Sequence, residues 1–273
     1  MALKTIEVSH PFSIKGRDGF DGVTFSRSSD GYLVWPKAVV FGGKNNGILQ
    51  SMREAGAFRI EAERKDDADL YQATRTGVVY FKAGDKFYAA IDDTVDPAQN
   101  IVVARAKDGY KSYSQNNKFV FPVSNKLVRG VLSRAEKAGR IVEVETESPL
   151  ELKTKSVSGK SEFGQNDWNK AILVDVSEPY AQMLNKRGDN IGRVWSLTQE
   201  DLERKGVDGN NVEIRPLGLG GDGYGIDYVD ADNYFDYDGC ARGVRGAREI
   251  TTERRIVELP DKNLYEIIRK LCA

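Results

Sequence analysis

Short runs of β-branched and aromatic residues, broken by polar turn chemistry, dominate the first 160 residues. AVVFGG (38–43), FRIEAER (58–64), VVYFK (78–82), KFYAAID (86–92), IVVARA (101–106) and KFVFPV (118–123) each predict a strand. DDAD, KAGD and QNN separate them, and Gly84 is placed to supply the positive φ of a hairpin turn before KFYAAID. One helix interrupts the pattern. Ser124 serves as its expected N-cap, Leu127, Val128, Val131, Leu132 and Ala135 share one helical face, and Gly139 ends it. IVEVETE and LELKTKSV then predict two further strands.

The polar, glycine-containing segment from Val157 to Asn169 predicts a domain boundary or long loop. Beyond it, the pattern predicts a strand at AILVDV (171–176), a helix around EPYAQMLNKR and a strand at IGRVWSL. Thr198 and Asp201 have capping-box spacing before QEDLERK, which Gly206 would end. Pro260 and Asp261 open a last predicted helix, with Leu264, Ile267, Ile268 and Leu271 forming an apolar stripe that must dock on something. The expected architecture is therefore α+β: a β-rich domain with one helix over 1–160, a second domain over 161–258 and a docking helix over 259–273. The lack of an internal repeat or heptad run argues against a solenoid or coiled-coil scaffold.

Composition narrows the chemistry. Forty Lys+Arg against 41 Asp+Glu leave a net charge of -1, so no global field draws the protein to nucleic acid or membrane. A local basic patch would still keep nucleic acid open as a partner. His10 is the one histidine, which rules out zinc sites with two histidines and confines any Ser-His-Asp or Cys-His arrangement to the first few residues. Cys240 and Cys272 are too few for a disulfide framework. No window has the length of a membrane span, and MALKTIEVSH lacks the apolar core of a signal peptide. These features predict a cytoplasmic or virion-associated protein.

Residues 217–249, LGLGGDGYGIDYVDADNYFDYDGCARGVRGARE, concentrate the candidate chemistry. Asp227, Asp230, Asp232 and Asp236 are hard oxygen ligands that suit calcium or magnesium, although no frame has the glycine and glutamate spacing of an EF-hand. Asp230 and Asp232, one residue apart after Gly220 and Gly221, also fit a magnesium-holding pair on one face of a strand. Alternatively, the aspartates cap turns or remain solvated. Tyr224, Tyr228, Tyr234 and Tyr237, beside Arg242 and Arg245, could form a stacking surface for a ligand. The same rings could instead fill a small core, with the arginines tying loops to aspartates. A separate nuclease-like pattern places Glu63 and Lys65 at the end of the strand predicted at FRIEAER, with Asp30 upstream.

Three segments, DNIGRVWSL (189–197), EIRPLGLGGDGYG (213–225) and CARGVRGAREI (240–250), resemble in order the C-terminal half of C-type-lectin-like domains. The type is the formylglycine-generating and sulfatase-modifying one, also found in phage and diversity-generating-retroelement receptor proteins. Trp195 after Gly192 looks like that family's Gly-Asn-Val-Trp strand, anchoring a small core. Gly220 and Gly221 after Arg215 look like its Arg-Gly-Gly turn, and Gly243, Val244 and Arg245 like its terminal strand. The resemblance spans residues 165–250. The catalytic branch uses a cysteine pair, whereas this region holds only Cys240, so the resemblance implies a binding module, with calcium where the aspartates supply it, rather than an oxidase. The expected function is non-catalytic recognition of a protein or small molecule by a loop surface. The alternatives are a metal-dependent enzyme on nucleic acid or phosphate esters, and a structural subunit assembled, as a homo-oligomer or otherwise, through the terminal helix.

Overall fold

A computed structural model describes residues 23–44, 47–62, 70–107, 120–221, 227–235 and 238–246. The N-terminal part contains β1 (Thr24–Ser28), β2 (Leu33–Val34), α1 (Trp35–Gly43), β3 (Ile48–Leu49), α2 (Met52–Ala62), β4 (Gln72–Ala83), β5 (Lys86–Asp92) and α3 (Ile101–Lys107). Next come β6 (Val120–Pro122), α4 (Lys126–Lys137), β7 (Ile141–Glu143), β8 (Leu150–Lys153), α5 (Glu162–Gln165), α6 (Asp167–Leu173) and α7 (Ser177–Arg187). The remaining elements are β9 (Ile191–Trp195), α8 (Gln199–Lys205), β10 (Asn211–Gly221), β11 (Asp227–Asp230), β12 (Asp238–Gly239) and β13 (Arg242–Arg245). The helix expected over 259–273 lies outside the described residues.

One mixed sheet organises the molecule, in the order β7-β5-β4-β10-β11-β9-β8, with β6 also paired to β10. Its pairs are antiparallel except β9 with β11. Because side chains alternate across a strand, each long strand serves two cores. Val78 and Tyr80 of β4, with Phe87, Ala89 and Ile91 of β5, face the core closed by α2, α6 and α7. Val79 and Phe81, with Tyr88 and Ala90, face the core closed by α1, α3 and α4. A sheet covered on both sides explains why these strands read as continuous apolar runs rather than as alternating ones. A second, three-stranded sheet, β1-β13-β3, joins the two sequence halves again, and β2 pairs with β12.

The boundary expected at Val157–Asn169 does not divide these layers. β4 pairs with β10 from Glu213↔Tyr80 to Leu219↔Gln72, and one core combines Met52, Val78 and Val142 with Trp168, Tyr180 and Val229. Residues on both sides of position 160 therefore bury each other's apolar surface.

Several expectations hold. β4, β5, β7, β8 and β9 form where predicted, and Gly84 turns the hairpin at φ +64°. α4 buries Val128, Val131, Leu132 and Ala135, although Asn125 rather than Ser124 caps it. Thr198 and Asp201 make the predicted capping box, and Gly206 ends α8 with φ +80°. Four predicted strands are helical instead. AVVFGG lies in α1, FRIEA ends α2, IVVARA lies in α3, and AILVDV covers the end of α6 and a 3-10 turn at Val174–Val176. A short apolar run buries equally well as a strand or as one side of a helix, so capping decides. Pro36 occupies the first turn of α1, and the Asn100 side chain accepts from Val103 N at the start of α3. Ser51 and Glu54 exchange side-chain-to-backbone hydrogen bonds of 2.7 and 3.2 Å that open α2 as a capping box.

Candidate functional site

The parallel pairing of β9 and β11 sets two cross-strand neighbours side by side: Tyr228 with Arg193, and Asp230 with Trp195. These four residues lie at alternate positions of their strands and so share one face of the sheet. After β11 the chain bends, and Asp232, Asn233 and Tyr234 complete the wall of a cleft of about 390 Å³. Trp195 remains 36% exposed and Tyr234 37% exposed. The site thus shows aromatic surface at its rim and polar groups within. Trp195 is therefore a cleft residue; the buried indoles that anchor the core are Trp35 and Trp168.

Tyr71, just before β4, is buried behind Asp230 and Asn233. Gly218 and Gly220 of β10, and Gly239 of β12, have no Cβ where the Tyr71 phenol lies; one added at any of them would overlap the ring. The glycines in LGLGG therefore form a slot within one strand, Asn211–Gly221, rather than the Arg-Gly-Gly turn expected at Arg215, Gly220 and Gly221. Seated there, Tyr71 donates its hydroxyl to Asp230 Oδ2 at 3.3 Å and accepts from Asn233 Nδ2. Burial pushes the Tyr71 phenol well above its ordinary pKa, and the Asp230 charge adds to this.

Asp230 is buried, and its Oδ1 meets no hydrogen-bond partner among the described residues. Beside this carboxyl lies that of Asp232, which is another acceptor unless one of the two carries a proton. Desolvation first, and then the hydrogen bond with Asp232 and its charge, hold Asp230 well above the usual carboxylate range. Two arginines adjoin the cleft, each tied to an acid. Arg193 chelates Glu151 Oε1 at 2.8 and 3.0 Å. Arg215 lies 2.6 Å from Glu213, both fully buried, and its guanidinium stacks on the Tyr234 ring at 4.1 Å.

The four aspartates expected to hold a metal are not gathered together. Asp227 sits on the opposite face from Asp230, accepting from Arg59 at 3.2 Å and from the Tyr180 hydroxyl at 3.0 Å. Asp230 and Asp232 do meet, but at the end of β11 and in the loop that follows, not along one strand. Asp236 lies outside the described residues, among which no three His, Cys, Asp or Glu side chains are arranged to hold a metal ion. Of the expected ligand-binding residues, Tyr228 and Tyr234 line the cleft, whereas Tyr224 and Tyr237 lie outside the described residues. Arg242 is buried, stacked on Phe58 at 3.8 Å and bonded to Ser26 O at 2.7 Å, which makes it a packing residue. Arg245 is exposed at the end of β13. Asp30 lines a separate groove along α1 with Lys37 and Val40. Glu63 and Lys65 lie outside the described residues, and the run expected to carry them on a strand is helical as far as Ala62.

No family model matches the chain and no curated protein matches it. A solved structure does, described as "Accommodation of massive sequence variation in Nanoarchaeota by the C-type lectin fold". It aligns over 78% of this chain and 94% of its own, with a TM-score of 0.56 at 12% sequence identity. The chain has a C-type-lectin-like fold. The likeness takes in far more than residues 165–250, where the sequence resemblance lies, because the lectin-like sheet draws strands from both sequence halves. At this identity it carries the α+β fold and not the sulfatase-modifying branch. No helix among the described residues is long and apolar enough to cross a membrane.

Two cleft residues, Arg193 and, as a rim residue, Trp195, escape sequence reading, and so does Tyr71 behind them. Tyr71 stands about 150 positions from its partners Gly218 and Asp230, and the alternation of glycines in LGLGG is the signal that a ring must lie across that strand.

Proposed function

We propose that this lectin-like chain is a non-catalytic binding protein whose recognition surface is the cleft between β9, β11 and the loop Ala231–Phe235. The carrying observation is that the cleft combines half-open rings, Trp195 and Tyr234, with a buried carboxyl of which one oxygen, Asp230 Oδ1, has no hydrogen-bond partner among the described residues. Binding sites characteristically join apolar surface to a few convergent polar groups. A relative of this fold whose scaffold accommodates massive sequence variation supports the same reading, since recognition surfaces vary while scaffolds persist. Within the fold, the formylglycine-generating kinship has as its support the Gly192–Trp195 and Gly243–Arg245 motifs alone. Calcium has as its support the carboxylates of Asp230 and Asp232.

The test is a screen of glycan and peptide arrays with the full chain and with the double variant Trp195→Ala, Tyr234→Ala. Binders lost in the variant at unchanged melting temperature support the reading. A magnesium-dependent hydrolysis of nucleic acid or phosphate esters that Asp230→Asn abolishes would replace it with the enzyme alternative.

A further inference from the structure

We propose that the cleft takes a cationic nitrogen group, a guanidinium or alkylammonium, seated between the Asp230 and Asp232 carboxyls and enclosed by Trp195, Tyr228 and Tyr234. This rests on the cleft being a binding site and adds the ligand's chemical class.

Three observations converge on a cation. First, Asp230 lines the cleft and its buried Oδ1 has no hydrogen-bond partner among the described residues, so an occupant that brings an N–H or O–H would satisfy it. Second, two carboxyls lie against each other in a partly desolvated space, where a positive charge relieves their repulsion and a neutral hydroxyl does not. Third, the surrounding wall is aromatic, and ring faces attract cations, most strongly where water is excluded. The nearby positive groups are committed elsewhere: Arg193 chelates Glu151, and Arg215 pairs with Glu213 while stacking on Tyr234. Lys205 Nζ stands 5.9 Å from the Tyr234 ring.

The occupant competes with a proton. Around Asp230 stand Tyr71, whose phenol burial keeps neutral, Tyr228, Asp232 and, on the same face of β9, Arg193; Tyr80 of β4 lies within electrostatic reach. At pH values where Asp230 still holds its proton, an entering cation must expel it to solvent. Affinity therefore rises with pH until Asp230 ionises unaided, by about tenfold per pH unit for one displaced proton.

The full chain is titrated with a short peptide bearing one arginine, with its neutral citrulline counterpart, and with agmatine and spermidine as free cations. Calcium and a neutral trisaccharide are run in parallel. Tryptophan fluorescence and calorimetry read binding, with Trp195→Ala assigning the optical signal. The expected result is cation binding at least about tenfold tighter than that of the citrulline peptide, weakening in acid. Asp230→Asn and the half-buried Asp232→Asn should each weaken it similarly and flatten its pH dependence. An arginine peptide tighter than agmatine identifies a partner protein's side chain as the source; the reverse identifies a free amine. Equal affinity for arginine and citrulline, or indifference to both Asn variants, overturns the proposal. Trp195-dependent binding of calcium or the trisaccharide without cation binding also overturns it, yet leaves the cleft a binding site. Absence of any Trp195-dependent binding removes both.

Discussion

Asp227 and Asp230 stand three residues apart on β11 and face opposite sides of the sheet. Asp227 belongs to the helical layer, held by Arg59 of α2 and Tyr180 of α7, and Asp230 belongs to the cleft, held by Tyr71. An odd separation on a strand guarantees this split. Removing each carboxylate should therefore have a different consequence.

Asp227→Ala removes one buried carboxylate from the fully buried Arg59 guanidinium, which stays bonded to the Tyr180 hydroxyl and to the carbonyls of Leu70 and Leu219. Breaking a buried pair from one side typically costs about 3–5 kcal/mol. The urea midpoint should drop accordingly, while ligand binding by the folded fraction stays unchanged.

Asp230→Asn should act in the opposite direction on stability, and only above acid pH. The folded-state pKa of Asp230 is raised, so the native state binds more protons than the unfolded chain between the two pKa values, and wild-type stability falls as pH rises through that interval. Asn carries no such charge. The variant should match wild type in acid and exceed it near neutrality, in melting curves recorded across pH. A gain that is constant with pH would contradict the raised carboxyl.

Gly218→Ala and Gly220→Ala should each displace the Tyr71 ring, because the new methyl group occupies its place. Overpacking of this kind costs about 1–3 kcal/mol. The diagnostic is a double-mutant cycle: Tyr71→Ala removes the clash, so Gly218→Ala should cost much less in that background. Additive losses would show that the slot is not what the glycines provide.

Arg242→Ala should destabilise through lost packing on Phe58 and the lost bond to Ser26 O, which joins β13 to β1. Binding by the folded protein should not change, which separates Arg242 from the cleft residues despite its place in the same arginine-rich stretch.

Much of this architecture is legible in the letters. The β4–β5 hairpin declares itself through paired apolar runs around Gly84, α4 through a five-residue apolar face, and α8 through its capping box. α1 and α3 do not, because Val and Ile runs of six residues satisfy a buried strand and a buried helix alike; the deciding signals, Pro36 and Asn100, are single residues. The cleft is half legible. Tyr228, Asp230, Asp232 and Tyr234 stand out as clustered chemistry, but that Asp227 faces away from them depends on where β11 begins. Arg193 and Trp195 become neighbours of Tyr228 and Asp230 only through the parallel pairing of β9 with β11. Arg242 shows the opposite outcome, a functional-looking letter that the fold uses as core.

The antiparallel clasp of β13 between β1 and β3 bears on how this surface can change. The segment Ala231–Phe235 departs from one firmly paired strand, β11, and the chain is re-anchored soon afterwards by β12 and then by that clasp. Within it Ala231, Asn233 and Phe235 are buried and belong to that frame, whereas Asp232 and Tyr234 stand at its rim. With the proposed cleft as the recognition surface, substitutions at Asp232 or Tyr234 would change what is recognised while the hydrogen-bonded frame keeps its register, so that specificity could evolve there at little cost in stability.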